Sequence, residues 1–200
     1  MTYMAFSTLM QDPGADMDAA KDLAERKYGD QGSTRTAVSI ALTGQGAGAI
    51  TVTSMWDSTD ACFAGRAAIY SDSEIQAYIA THNQVPVQFG LSRVRSESGN
   101  CEGSFAVAAI ATATDHSDEA SAEVAQHIER IFLPNGINGA RMVQMVAAGE
   151  NTGAYVNLFY CDSLDSYFAA SQAAWADSDF VSTSQKIGAT IVDRMISRMV

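Results

Sequence analysis

The chain contains one sequence twice. The segment Asp57 to Ser73, DSTDACFAGRAAIYSDS, overlays Asp162 to Ser178, DSLDSYFAASQAAWADS, with eight identities. They are Asp57/Asp162, Ser58/Ser163, Asp60/Asp165, Phe63/Phe168, Ala64/Ala169, Ala68/Ala173, Asp72/Asp177 and Ser73/Ser178. A constant shift of 105 residues carries the match, without gaps, to Val38/Val143, Gly44/Gly149, Gly48/Gly153 and Ser92-Arg93/Ser197-Arg198. Self-similarity at a fixed period means that one folding unit occurs twice, so whatever one copy forms the other must form as well.

Each copy has the same element order. Met4 to Met10 and Ser104 to Thr114 are apolar, small and β-branched, which predicts first strands. Asp16 to Tyr28 and Ser117 to Phe132 follow with acidic first turns and helical spacing. Met17, Ala20, Leu23 and Ala24 share one face of the first helix, and Ala120, Val124, His127, Ile128 and Ile131 one face of the second. Gly29 and Pro134-Asn135-Gly136 stop these helices. Ser39 to Thr43 and Ala49 to Met55 form a hairpin around GQGAG, as do Met142 to Ala148 and Ala154 to Tyr160 around GENTG. The caps Asp57-Ser58 and Asp162-Ser163 open a second helix, which breaks near Ser71-Asp72 and Ala176-Asp177. Val85 to Val94 and Thr190 to Met199 are the fourth strands.

The expected fold class is therefore α+β, a tandem duplication of a ferredoxin-like β-α-β-β-α-β unit. Repeat one spans residues 1–95, a polar linker 96–103, and repeat two 104–200. A sheet with helices on one face must also cover the other. The economical solution packs the two antiparallel sheets together as an intrachain α/β barrel.

Composition narrows the functions. With 12 Lys and Arg against 23 Asp and Glu, the net charge is −11. Nucleic acid and anionic membranes are poor partners for such a surface. No apolar run reaches the ~18 residues of a membrane span, and no basic segment marks a leader at the N-terminus. Cys62, Cys101 and Cys161 are odd in number and far apart, so reduced thiols and a cytoplasmic location are expected.

In both copies an aromatic residue stands at or near the end of strand three, and an Asp/Ser cap follows. A phenylalanine sits in the next helix, and an aromatic precedes the break. These are Trp56-Asp57-Ser58, Phe63, Tyr70 and Ser71-Asp72-Ser73, then Tyr160, Asp162-Ser163, Phe168, Trp175 and Asp177-Ser178-Asp179. This pattern resembles the dimeric α/β-barrel superfamily, which includes antibiotic-biosynthesis-type monooxygenases, haem-degrading monooxygenases and chlorite dismutase-like proteins. The resemblance covers nearly the whole chain and implies a small-molecule pocket between sheet and helices. It would be lined by Trp56, Phe63, Tyr70, Tyr160, Phe168 and Trp175, with polar groups drawn from Tyr3, Asn157 and Arg194. The first functional expectation is a hydrophobic small molecule bound there, with cofactor-free oxygenation as the reaction class. One alternative is a non-enzymatic, stress-type barrel that works through self-association, such as a homodimer.

A second alternative is haem held by His82, since haem-binding relatives carry an axial histidine near this place. The count from Tyr70 and Trp175 falls instead at Ala80 and Gln185, and the duplicate of His82 is Ile187. Otherwise no cofactor is expected. No HxH, HxxxH or HExxH spacing occurs, so no metal site is expected. GQGAGA joins two strands rather than a strand to a helix and is no nucleotide loop. Arg93 and Arg198, paired by the repeat at the ends of the fourth strands, fit either an anion site or carboxylate bridges at the sheet edge or between copies. Because His82 faces Ile187 and Tyr70 faces Trp175 in the overlay, one copy alone is expected to keep a working pocket.

Overall fold

A computed structural model of the chain describes residues 1–12, 14–44 and 46–200. The chain divides into two compact units. The first is Met1–Arg93 with Val146–Glu150 and Arg198–Val200, and the second is Val94–Met145 with Asn151–Ser197.

In the first unit, β1 (Tyr3–Met10), β2 (Arg35–Ala41), β3 (Ile50–Trp56) and β4 (Val85–Gly99) lie in the order β4-β1-β3-β2. The pairs β1/β3, β1/β4 and β2/β3 are antiparallel. Helices α1 (Met17–Asp30), α2 (Thr59–Ser71) and α3 (Ser73–Thr81) complete the β-α-β-β-α-β order, with the second helix divided. In the second unit, β5 (Phe105–Thr112), β6 (Gly139–Ala147), β7 (Tyr155–Cys161) and β8 (Thr190–Met199) lie in the equivalent order β8-β5-β7-β6. Its helices are α4 (Asp118–Ile131), α5 (Leu164–Ala176) and α6 (Ser178–Lys186). Ser96 to Gly99, expected as linker, continue β4. Of the expected GQGAG turn, Gln45 lies outside the described residues.

Local chemistry sets the helix boundaries. Asp72 ends α2 and caps α3, its carboxylate accepting from the N–H groups of Glu74 and Ile75. Asp177 does the same between α5 and α6, accepting from Phe180 N–H. One residue that satisfies orphan donors on the second segment while leaving the first in extended geometry makes a sharp break. The second strands begin earlier than their apolar runs suggested, because Arg35 to Ala37 and Gly139 to Arg141 also pair with the third strands.

The gapless shift requires correction. Trp56 and Cys161 are equivalent, and they pair with Tyr3 and Phe105, so the first strands differ by 102. Val38 pairs with Val52 and Met142 with Asn157, so the second strands differ by 104. The 105 shift holds from strand three onward, through the Ser58/Ser163 and Asp72/Asp177 caps. Small gaps in loops and helix starts are invisible to a match anchored on the second helix.

Each unit packs its helices on one sheet face, but with different large residues. The first core centres on Trp56, whose indole N–H donates to Ser54 Oγ at 2.8 Å and whose ring lies against Gly65. The second has Cys161 and Ala170 at those two places and gains Tyr167 where the first has Cys62. A Cβ at Gly65 would overlap the Trp56 ring. Gly65→Ala should therefore destabilise the fold by about 1–3 kcal/mol by overpacking, read from the urea midpoint. Burial in the first core pushes the Tyr28 phenol up to about 12. The neutral phenol contributes its full stability below pH ~10. That contribution falls by about 1.4 kcal/mol per pH unit as pH rises from 10 towards 12. Tyr28→Phe should flatten this alkaline slope in unfolding experiments.

Candidate functional site

Side chains alternate across a strand, so Tyr155, Asn157, Phe159 and Cys161 of β7 face the helices and Tyr160 faces away. Between that face and the helices α4, α5 and α6 of the second unit lies a cavity of about 90 Å³. Ala109, Ala111 and Met142 form part of its sheet side. Val124, Ile128, Tyr167, Ala174 and Phe180 close it from the helix side.

Three polar atoms in this apolar wall have no partner. Tyr155 Oη, Asn157 Oδ1 and Arg194 Nε are each buried and make no hydrogen bond, and all three residues line the cavity. A buried polar group left unsatisfied costs about 1–3 kcal/mol, and native proteins leave few of them. All three border one space, where a group offering both a donor and an acceptor would satisfy them. The Tyr155 ring is held by stacking on His116 at 5.6 Å and by Arg95, 6.0 Å above it. The Arg194 guanidinium lies 5.6 Å from the Tyr167 ring centroid. Burial pushes the Tyr167 phenol up, partly offset by Arg194. Asp115, at the rim, is held below the usual carboxylate range by the Ser117 N–H and hydroxyl, which makes it a weak base.

The roof is tied down by polar contacts. Arg130 forms a two-pronged pair with Asp177 at the α5–α6 break, with nitrogen–oxygen distances of 2.7 and 2.8 Å. Glu123 on α4 accepts from Thr183 and Lys186 of α6, both at 2.8 Å. Arg130, followed by the Phe180 N–H, holds the Asp177 carboxyl well below the usual range. Stabilisation of this kind is fully present above the ordinary carboxylate pKa of ~4 and is lost progressively as pH falls below it. Protection factors of α6 amides, corrected for intrinsic exchange, should therefore be highest above pH ~4 and fall progressively below it.

The first unit contains a smaller cavity of about 60 Å³ at the equivalent place. Ile50, Val52 and Phe89 stand where the second unit has Tyr155, Asn157 and Arg194. Tyr70 lines it, but none of the unpartnered atoms does, among the described residues.

The sequence-derived candidates thus separate. Trp175 and Arg194 line the larger cavity, and Trp175 and Phe168 border a shallow groove beside it. Trp56 is sealed in the first core, and Phe63 is half-exposed, its ring edge-on to Phe89 at 6.0 Å. Tyr160 is corrected to the opposite sheet face, where its hydroxyl accepts from Arg141 Nη1 at 3.1 Å. By strand register its partner in the repeat is Met55 and not Trp56. His82 ends α3, its backbone N–H donating to Tyr78 O and its ring 4.3 Å from the Tyr78 ring. Among the described residues, no histidine lines either cavity. Tyr155 was missed, since a tyrosine opening an apolar strand reads as core. Only the absence of a partner for its hydroxyl distinguishes it.

No family model and no curated protein sequence matches this chain. Solved structures match over its full length. An anthrone oxidase-like protein aligns with a TM-score of 0.63 at 10% identity, covering 100% of this chain and 91% of that one. A mutant chlorite dismutase from Candidatus Nitrospira defluvii aligns with 0.59 at 11% identity, covering 100% and 90%. A Lactobacillus acidophilus protein described as a candidate monooxygenase aligns with 0.58 at 10% identity, covering 100% and 94%. At such identities the likeness carries the fold alone: α+β and ferredoxin-like. No described helix is long and apolar enough to cross a membrane.

Proposed function

We propose that the second repeat binds a ring-bearing hydrophobic small molecule in the cavity between its sheet and helices, and that the first repeat serves as scaffold. The observation that carries this reading is the convergence of Tyr155 Oη, Asn157 Oδ1 and Arg194 Nε, all unpartnered, on one apolar space. Apolar pockets with a few convergent polar groups are the usual form of small-molecule sites. Oxygenation of such a molecule is the reaction class that the monooxygenase and anthrone oxidase-like structures suggest. In that reading the three polar groups orient an electron-rich ring, and the apolar walls exclude water. Fold likeness alone does not assign chemistry.

The two tryptophans provide the test. Trp56 is 1% exposed and Trp175 50%, so a bound ligand alters Trp175 emission almost alone. Naphthol should quench emission saturably in the wild type and leave Trp175→Phe unchanged, and absence of saturable quenching would remove the binding reading. Oxygen uptake with a naphthalenediol, measured against the uncatalysed rate, decides the enzymatic part. A second reading, self-association, draws on Val87 and Val192, repeat-equivalent residues that are both exposed. A concentration-independent monomer in sedimentation equilibrium removes it.

A further inference from the structure

The first repeat shows what the second leaves open. In α2, Arg66 lies between two rings, its Cζ 4.5 Å from the Tyr70 centroid and 3.9 Å from that of Phe89. Its Nη1 donates to Ser7 Oγ at 2.7 Å. A planar cation from the protein itself thus fills the slot between helix and fourth strand. In the second repeat every member of this arrangement has changed. Ser171 stands at the place of Arg66, Trp175 at that of Tyr70 and Arg194 at that of Phe89. Ala109 replaces Ser7, because Ser7 pairs with Val52 as Ala109 pairs with Asn157. The plug and its anchor are both gone, and Ser171, Trp175 and Arg194 border both the cavity and the adjoining groove.

The charge has also moved. In the first repeat the cation comes from the helix and occupies the slot. In the second it comes from the strand and lines the slot. Arg194 has no carboxylate partner among the described residues, and its Nε is buried without an acceptor. A guanidinium in a half-buried apolar setting pairs best with a planar oxyanion, and the Trp175 indole that borders the same slot favours a flat conjugated group.

We propose that the Trp175–Arg194 slot takes the acid end of an aromatic carboxylate, and that Ser171 is the specificity-determining residue that keeps the slot open. The ring system reaches inward to Asn157 and Tyr155. This rests on the cavity being a ligand site.

The test titrates the full chain with naphthoate and with naphthamide, its neutral counterpart of similar size, and reads Trp175 emission and heat. Naphthoate should bind at least tenfold more tightly than naphthamide. Arg194→Met should reduce the acid to the affinity of the amide. Ser171→Arg, which restores the plug, should abolish both with an unchanged circular dichroism spectrum. Ser171→Leu blocks the slot without adding charge and serves if the arginine variant does not fold. Equal affinity for acid and amide in the wild type, with both lost on blocking Ser171, overturns the carboxylate assignment and leaves the pocket standing. Failure of both probes to bind, or binding indifferent to Ser171 substitution, overturns the pocket itself.

Discussion

The double variant Tyr155→Phe, Asn157→Leu should be more stable than the wild type and should lose its ligand affinity. Both side chains carry a buried polar atom with no hydrogen bond, and each such atom costs about 1–3 kcal/mol. Phe keeps the Tyr155 ring and so its stacking on His116. Leu keeps the branched shape of Asn, and its bulkier methyl groups add apolar contact with the walls formed by Ala109 and Phe159. The two residues lie two apart on one strand face, so their effects share surroundings and are not strictly additive. A net gain of about 1–3 kcal/mol is expected for the pair. It would appear as an upward shift of the urea midpoint with an unchanged slope. The same variant should weaken naphthol at least tenfold, equivalent to about 1.4 kcal/mol of binding. A site that improves stability when disabled is one retained for something other than folding. Loss of stability instead would mean that these atoms have partners in solution.

The opposite sign is expected for Trp56→Ala. Trp56 is almost fully buried, packs on Gly65 and lies 6.4 Å from the Tyr28 ring. Its indole is the donor to the buried hydroxyl of Ser54. Removing it leaves a large void and an unpaired hydroxyl, which should destabilise by about 3–5 kcal/mol. The equivalent change in the second repeat, Cys161→Ala, deletes one atom and should lose about 1 kcal/mol. The contrast tests the claim that the copies keep one backbone plan with different core solutions. A transplant of the second solution, Trp56→Cys with Gly65→Ala and Cys62→Tyr, should recover part of the loss by refilling the void from the helix. Similar losses at Trp56 and Cys161 would show that the first core is not organised around the indole.

The sequence made the architecture legible because duplication supplies each element twice. The Asp/Ser caps and the breaks at Asp72 and Asp177 fall where hydrogen-bonding chemistry puts them. The strand register was less legible. Changes of offset from 102 to 105 fall in loops and helix starts, where insertions are tolerated. Tyr160 needs no gap to leave equivalence with Trp56: it precedes Cys161, the true counterpart of Trp56, by one residue, and strand alternation puts it on the other sheet face. Within the proposed site, Trp175 could be named from the repeat pattern, and Asn157 and Arg194 only as polar strand residues with no motif behind them. Their meeting with Tyr155 could not, since β7, β8 and α5 converge only in three dimensions. The plug at Arg66 was equally hidden. An arginine opposite a serine in an alignment says nothing until Tyr70 and Phe89 are seen on either side of it.

The central claim is that one repeat of the two holds the ligand. Methyl-resolved NMR of the full chain during titration with naphthoate tests it most directly. The account predicts shifts at Ala109, Ala111, Val124 and Ile128 of the second cavity, with Ile50, Val52 and Ile69 of the first unmoved. Shifts in the first repeat alone, equal shifts in both, or none at saturating probe would contradict it.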